Sequence, residues 1–258
     1  MTHRLPDDPF LDGQGRPRVV RGVTVISNSP RVAELAGRVG FEAVWIEVEH
    51  GTVSFSEVET LCMAAEAGGA YPTVRVPDSS RTHVLRALEA GARIVVVPMV
   101  NTPEQAAMVV EYGKFPPLGK RGYNTRSRGM EYGLVPPPEG FAIANRGTHL
   151  FVQVETREAV GNLDEICAIQ GLSGVFIGPG DLSADFGKPG DFSDLEVISV
   201  VTDIVQKARG HGLHAGILVT PGPLFEAAIA AGGDFLFCGG DVADLVTAWK
   251  ALLRELSR

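Results

Sequence analysis

Two carboxylates, Glu155 and Asp181, stand at the ends of short apolar runs, Leu150 to Val154 and Gly174 to Gly180. Packing gives no reason for a charge at the end of a buried strand, whereas a divalent-metal or acid–base site does. A third run, Ala43 to Val48, brings Glu47 and is followed at once by Glu49 and His50, and a fourth, Tyr71 to Pro77, carries Arg75. If these runs are neighbouring strands, one end of a sheet collects acid, base, cation and metal ligands.

Each residue has a plainer reading beside the chemical one. Glu155 and Asp181 are hard oxygen donors suited to Mg²⁺ or Mn²⁺, with water and an oxoacid completing the shell. Either alone would serve equally well as a helix N-terminal cap, and it is the pair at adjacent strand ends that favours a metal. Gly178 and Gly180, flanking Pro179, let backbone N–H groups approach a carboxylate, or make an ordinary turn. Arg75 suits a developing enolate oxygen or a carboxylate, or an internal ion pair with Glu47. His50 sits close after Glu47 and is poised to move a proton near neutral pH, unless it is a surface residue. Glu89, before Gly91, either reaches His50 or is solvated. His3, His83, His149, His211 and His214 lack acidic company of this kind and read as structural.

These residues need strands to carry them, and the pattern supplies eight. Strands are expected at Arg21 to Ile26, Ala43 to Val48, Pro72 to Val76, Arg93 to Pro98, His149 to Val154, Gly174 to Ile177, His214 to Val219 and Asp234 to Cys238. Helical patterns alternate with them over Pro30 to Val39, Ser56 to Ala67, Arg81 to Glu89, Thr102 to Tyr112, Leu163 to Ile169, Asp194 to Gly210, Pro223 to Ala231 and Val242 to Leu256. Ser54 with Glu57 has the form of a capping box, and Gly40 stops the first helix. Residues 1–18, rich in Pro, Gly and Asp, are expected to form a loose arm. The stretch from Gly113 to Gly147 breaks the alternation and is expected to be a functional or interfacial loop.

Strand–helix alternation with Val- and Ile-rich strands predicts an α/β fold, a (β/α)8 TIM barrel in one domain spanning 1–258. A doubly wound open sheet is the alternative, but it would want a Gly-rich turn after the first strand, where Ser27-Asn28-Ser29-Pro30 stands. The net charge of −8 argues against nucleic acid and anionic membrane surfaces as partners, because both need a positive field. Cys62, Cys167 and Cys238 lie in apolar contexts and fit buried thiols in a reducing compartment. Met1 to Phe10 lacks the apolar stretch of an export signal, and apolar runs such as Ile94 to Val100 are too short to span a bilayer. A cytoplasmic location is therefore expected.

Taken together, the segments resemble the metal-dependent (class II) pyruvate aldolases of the 4-hydroxy-2-oxoheptanedioate and 2-dehydro-3-deoxyglucarate aldolase type. The resemblance is carried by Val44-Trp45-Ile46-Glu47-Val48-Glu49-His50-Gly51, Val74-Arg75-Val76-Pro77, Gly91 to Val100, Pro116 to Gly122, Gln153-Val154-Glu155-Thr156 and Phe176 to Ser183. It implies a divalent metal (Mg²⁺, Mn²⁺ or Co²⁺) on Glu155 and Asp181, Gln153 on the pyruvoyl unit, Arg75 on the enolate, and His50 as acid–base residue oriented by Glu89. It also implies a homo-oligomer, a hexamer or trimer, with the last helix exchanged between subunits. Glu47 departs from the family's usual Asp, a change of one methylene beside the acid–base group.

The expected reaction is reversible cleavage of a 4-hydroxy-2-oxo acid to pyruvate and an aldehyde, with Glu47 and His50 taking the 4-hydroxyl proton. Oxaloacetate decarboxylation, or other chemistry of the same enolate, is the alternative. A third reading is a non-catalytic binder of 2-oxo acids. Arg121, Arg126 and Arg128, within Lys120 to Met130, either meet a second substrate carboxylate or form ion pairs in a loop.

Overall fold

Parallel strands bury both faces, so they read as nearly unbroken apolar runs, and every run marked above becomes a strand. The computed structural model describes residues 5–257. The first half of the chain forms β1 Val20–Val25, α1 Pro30–Val39, β2 Ala43–Glu47, α2 Phe55–Gly68, β3 Tyr71–Arg75, α3 Arg81–Glu89, β4 Ile94–Val97 and α4 Pro103–Gly113. A 3-10 segment, Arg128–Gly133, and α5 Glu139–Gly147 lead into β5 His149–Val154. There follow α6 Arg157–Gly161, α7 Leu163–Cys167, β6 Gly174–Ile177, α8 Pro179–Asp185, α9 Leu195–Gly210, β7 His214–Leu218, α10 Pro223–Ala230, β8 Phe235–Gly240 and α11 Asp241–Leu256.

The eight strands pair in chain order and close, β8 against β1, into the expected (β/α)8 barrel. Local chemistry sets the element ends. Ser54 and Glu57 make the expected capping box at α2, Thr102 and Gln105 make another at α4, and Gly40 ends α1 at φ 116°. Two apolar cores result. One lies between the strands and the surrounding helices. The other fills the barrel with Trp45, Tyr71, Phe151, Phe176, Phe235 and Phe237.

The inner core fixes what stands above it. Successive strand side chains alternate between faces, so a strand with Trp45 inside places Glu47 inside one layer higher. Phe151 does the same for Gln153, and Phe176 for Gly178. The aromatic layer fits because small residues face it at matching register: Gly22 pairs with Phe237, Gly174 with Phe151 and Gly216 with Phe176. A Cβ on Gly216 would stand 2.4 Å from Phe176 and 3.0 Å from Phe235.

Three expectations change. Within the segment read as a loose arm, residues 5–18 close the lower end of the barrel, and residues 1–4 lie outside the described residues. Phe10 is buried and stacks on His214 at 3.6 Å between ring centres, so one aromatic side chain outweighs the Pro- and Gly-rich composition around it. Asp7 and Pro6 offer carbonyls to His149 and Tyr71. The stretch from Gly113 to Gly147 holds a helix, α5, whose start after Pro138 masked its pattern. The short helices α6 and α8 were also not expected. The last helix is tied to the barrel at its start, where Asp241 accepts the backbone N–H groups of Ile26 and Ser27. None of its residues is buried, and Leu245, Trp249, Leu252, Leu253 and Leu256 form an exposed apolar stripe.

The packing account makes a direct prediction. Gly216→Ala forces a methyl group against two rings that have nowhere to go, and should cost about 1–3 kcal/mol. Denaturant unfolding should show the loss, and an unchanged midpoint would contradict it.

Candidate active site

Glu47 ends β2 inside the barrel mouth, and its neighbours use the whole carboxylate. Oε2 accepts hydrogen bonds from Trp45 Nε1 at 3.0 Å and Arg75 Nε at 2.8 Å, with Arg75 Nη2 at 2.6 Å. Oε1 accepts the backbone N–H groups of Glu49 at 2.8 Å and His50 at 3.0 Å. Burial alone would raise the Glu47 carboxyl, but the Arg75 hydrogen bond and charge outweigh it and hold the group below its ordinary value. Arg75 ends β3 beside it, its guanidinium 5.5 Å from the Trp45 ring centre and its Nη1 3.0 Å from Glu49 Oε2. The internal ion pair with Glu47 is thus present.

Glu155, just after β5, is 1% exposed. Oε1 accepts the backbone N–H of Met99 at 2.8 Å, and Oε2 accepts the Gln153 side-chain amide. No cationic side chain pairs with it among the described residues. Burial therefore raises its pKa, and the charges of Asp181 and Glu49 add to the rise. Gln153 Oε1 is buried without a hydrogen-bond partner. Asp181 stands exposed on the first turn of α8, after the strand next to β5, near enough to act electrostatically on both Glu155 and Glu49.

The glycines act differently from the expectation of a paired anion cradle. The Gly178 N–H is spent on Val154 O at 3.4 Å. Its value is space, since a Cβ there would stand 2.2 Å from Glu155 Oε2 and 2.6 Å from Gln153 Nε2. Gly180 lies open on the first turn of α8 with nothing within 4 Å of a built Cβ. Ser183 Oγ ties the turn together, donating to Gly180 O at 2.8 Å and accepting Gly190 N at 3.0 Å.

Met99 was invisible in the sequence. It takes a left-handed backbone, φ 53°, unusual for a side chain of its kind. The strain aims its N–H at Glu155. Asn101 stabilises that loop, accepting from Thr156 Oγ1 at 2.7 Å and donating to Gln105 at 2.6 Å. A backbone donor leaves no mark on residue type, so no motif could have shown it.

Other expected partners are not brought together. The His50 side chain is 67% exposed, and the carboxylate near its Nε2 belongs to Glu49, at 3.8 Å, not Glu47. Glu47 touches His50 only through the backbone. Glu89 does not meet His50 within the chain. A barrel helix runs back from the rim, so the C-terminal end of α3 sits toward the opposite end, where Glu89 acts on Arg121. Arg121 is buried over Phe115 with its pKa lowered by burial to about 10, and Arg128 pairs with Glu66 near the end of α2. Neither faces the mouth, so neither meets a second substrate carboxylate inside one chain; Arg126 is exposed beside Glu89 and Arg86. A cavity of about 560 Å³ also lies at that lower end, among Leu88, Arg93, Met130 and Thr148. Burial pushes the Cys62 thiol up and the Cys167 thiol up to about 12.

A family model described as HpcH/HpaI aldolase/citrate lyase matches residues 22–248. The chain is 34% identical over 254 residues to a 2-keto-3-deoxy-L-rhamnonate aldolase of Klebsiella pneumoniae subsp. pneumoniae, covering 98% of this chain and 93% of the relative. It is 32% identical over 226 residues to a hydroxypyruvate/pyruvate aldolase of Rhizorhabdus wittichii, covering 86% and 88%. The crystal structure of an HpcH/HpaI aldolase from Desulfitobacterium hafniense superposes with a TM-score of 0.87 at 27% identity, covering 93% of each chain.

The electrostatics of Glu155 are testable without any assay of activity. A carboxyl whose folded pKa is raised favours the folded state below its unfolded pKa, and that contribution is lost as pH rises through the folded value. At pH 7 the ionised group therefore weighs against the fold. Glu155→Gln should raise the stability of the metal-free protein by on the order of 1 kcal/mol at neutral pH, because Gln153 Oε1 can turn to accept the new amide. The gain should fade as pH falls toward about 4. A Glu155→Gln protein less stable than the parent at pH 7 would contradict this.

Proposed function

Because the chain belongs to the HpcH/HpaI aldolase/citrate lyase family, we propose that it cleaves a 4-hydroxy-2-oxo acid reversibly to pyruvate and an aldehyde. The observation that carries the proposal is Glu155: a buried carboxylate with raised pKa and, among the described residues, no side-chain cation, near Asp181 at the neighbouring strand end.

The residues present fit a divalent ion. Glu155 and Asp181 are hard oxygen donors, and the unpartnered Gln153 Oε1 points to a missing neighbour. Among the described residues no group of three His, Cys, Asp or Glu side chains stands ready to hold a metal. The two carboxylates are hard donors of the kind that suits Mg²⁺, Mn²⁺ or Co²⁺, which keep several positions for water and substrate. When bound, such an ion polarises the 2-oxo group as a Lewis acid.

The chain's own groups supply the rest. Gln153 orients the pyruvoyl unit, and the open Gly180 turn receives its carboxylate. Arg75, fixed by Glu47 and Glu49, directs its remaining N–H groups at the oxygen that gains charge as the bond between C3 and C4 breaks. His50 takes the 4-hydroxyl proton, directly or through water, and the exposed ring leaves it free to do so. Glu47 positions Arg75 and the backbone of His50 and does not itself move the proton. Glu89 orients no group in the mouth of its own chain, so any such role falls to a mouth formed with another copy.

Oxaloacetate decarboxylation on the same site is the second reading. The exposure of the His50 ring favours it, since loss of CO₂ needs no fixed base. Family membership sets the non-catalytic reading aside. The exposed stripe of α11 supports assembly with further copies of the chain, the hexamer or trimer expected with an exchanged last helix. Three free cysteines support a cytoplasmic location. Among the described residues no helix is long and apolar enough to cross a membrane.

Pyruvate release from 2-keto-3-deoxy sugar acids tests the proposal. Turnover should require Mg²⁺, Mn²⁺ or Co²⁺ and stop with a chelator. Glu155→Ala and Asp181→Ala should each lower kcat by more than about 100-fold. Metal-independent turnover, or full activity in either variant, would refute it.

A further inference from the structure

The geometry points to Trp45 as a positioning residue that sets Arg75 for the developing enolate charge, through its indole N–H and its ring face. The chemistry it serves rests on the aldolase reading above, whereas the contacts stand on the structure alone.

Trp45 lies on β2 two residues before Glu47, on the same inner face. Its plain role is to fill the barrel, where it is 1% exposed and packs on Phe176 at 4.8 Å and Phe237 at 5.2 Å between ring centres. Packing does not call for a nitrogen, and an indole N–H shut in a core needs an acceptor. The acceptor here is Glu47 Oε2, at 3.0 Å, the oxygen that also takes Arg75 Nε at 2.8 Å and Nη2 at 2.6 Å. The Trp45 ring lies under the same guanidinium, its centre 5.5 Å away. One side chain therefore touches both members of the ion pair.

A hydrogen bond fixes a group only as firmly as its partner is itself fixed. The backbone N–H groups on Glu47 Oε1 belong to the loop after β2, and the Glu49 carboxylate beside Arg75 leaves from that same loop. Trp45 comes instead from the packed aromatic layer, so it ties the pair to the rigid part of the barrel. Burial works to neutralise the Glu47 carboxyl, and Arg75, followed by the indole N–H, keeps it charged. The remaining N–H groups of Arg75 serve the enolate oxygen only when aimed at it, and a misplacement of about 1 Å can cost about 100-fold. Loss of the indole N–H should therefore appear in kcat and leave substrate binding nearly unchanged.

Trp45→Phe keeps an aromatic ring and removes the N–H. It should lower kcat for pyruvate release about 10-fold, with KM within about twofold of the parent. Glu47→Asp withdraws the carboxylate from the indole by a methylene, so Trp45→Phe added to it should cost less than about threefold further. A second readout needs no turnover. The chain has two tryptophans, Trp45 and the exposed Trp249, so labelling the indole nitrogens with ¹⁵N gives two side-chain signals, and Trp45→Phe identifies its own by loss. That proton should lie downfield of the Trp249 proton, and Glu47→Gln, which makes the acceptor neutral, should move it upfield. Full kcat in Trp45→Phe, a loss that multiplies undiminished on Glu47→Asp, or an indole signal unmoved by Glu47→Gln overturns the proposal. If Trp45→Phe folds poorly, Glu47→Gln and the indole signal decide. If the unmutated protein releases no pyruvate from any 4-hydroxy-2-oxo acid, the aldolase reading fails, and the indole signal still shows whether Trp45 holds the pair.

Discussion

An ionised carboxylate shut away from water, without a cation beside it, is unstable until something positive arrives. Glu155 is such a group, and much of the barrel mouth is arranged around it. Met99 accepts a strained backbone to give it one hydrogen bond, Gln153 gives another, and Gly178 forgoes a side chain to leave it room. Asp181 and Glu49 increase its discomfort, not relieve it. On the proposed function, stability is surrendered at one point so that a cation, and through it a keto acid, can be gripped there.

The Arg75 guanidinium is held among these carboxylates by Glu47 and Glu49, and Trp45 lies beneath it. Trp45 belongs to the aromatic layer that fills the barrel, so the position of the cation is inherited from core packing. The extra methylene of Glu47 relative to aspartate lets one carboxylate reach Trp45 and Arg75 while folding back onto its own loop. What looked like a disturbance of the acid–base pair serves as a brace.

Much of this was legible in the sequence for a physical reason. Parallel strands are apolar throughout, so a charge at their ends stands out, and Glu47, Arg75, Glu155 and Asp181 were visible on that contrast. Element order followed from capping residues and glycine stops. What was not legible depends on backbone or on distance. The Met99 donor has no side-chain signature. Phe10 reads as one residue in a polar arm until a barrel end is there to receive it. Glu89 and Arg121 looked close to the site along the chain, but a helix had carried them to the other end. His50 has two acidic neighbours in sequence, and only coordinates show that the carboxylate near its ring belongs to Glu49.

The central claim is that Glu155 and Asp181 share one divalent ion. Crystals soaked in Mn²⁺ and examined by anomalous scattering test it most directly. The account predicts a single strong peak between the two carboxylates, within coordination distance of both and adjacent to Gln153. A peak held by one of them alone, or manganese bound elsewhere with this mouth empty, would contradict it.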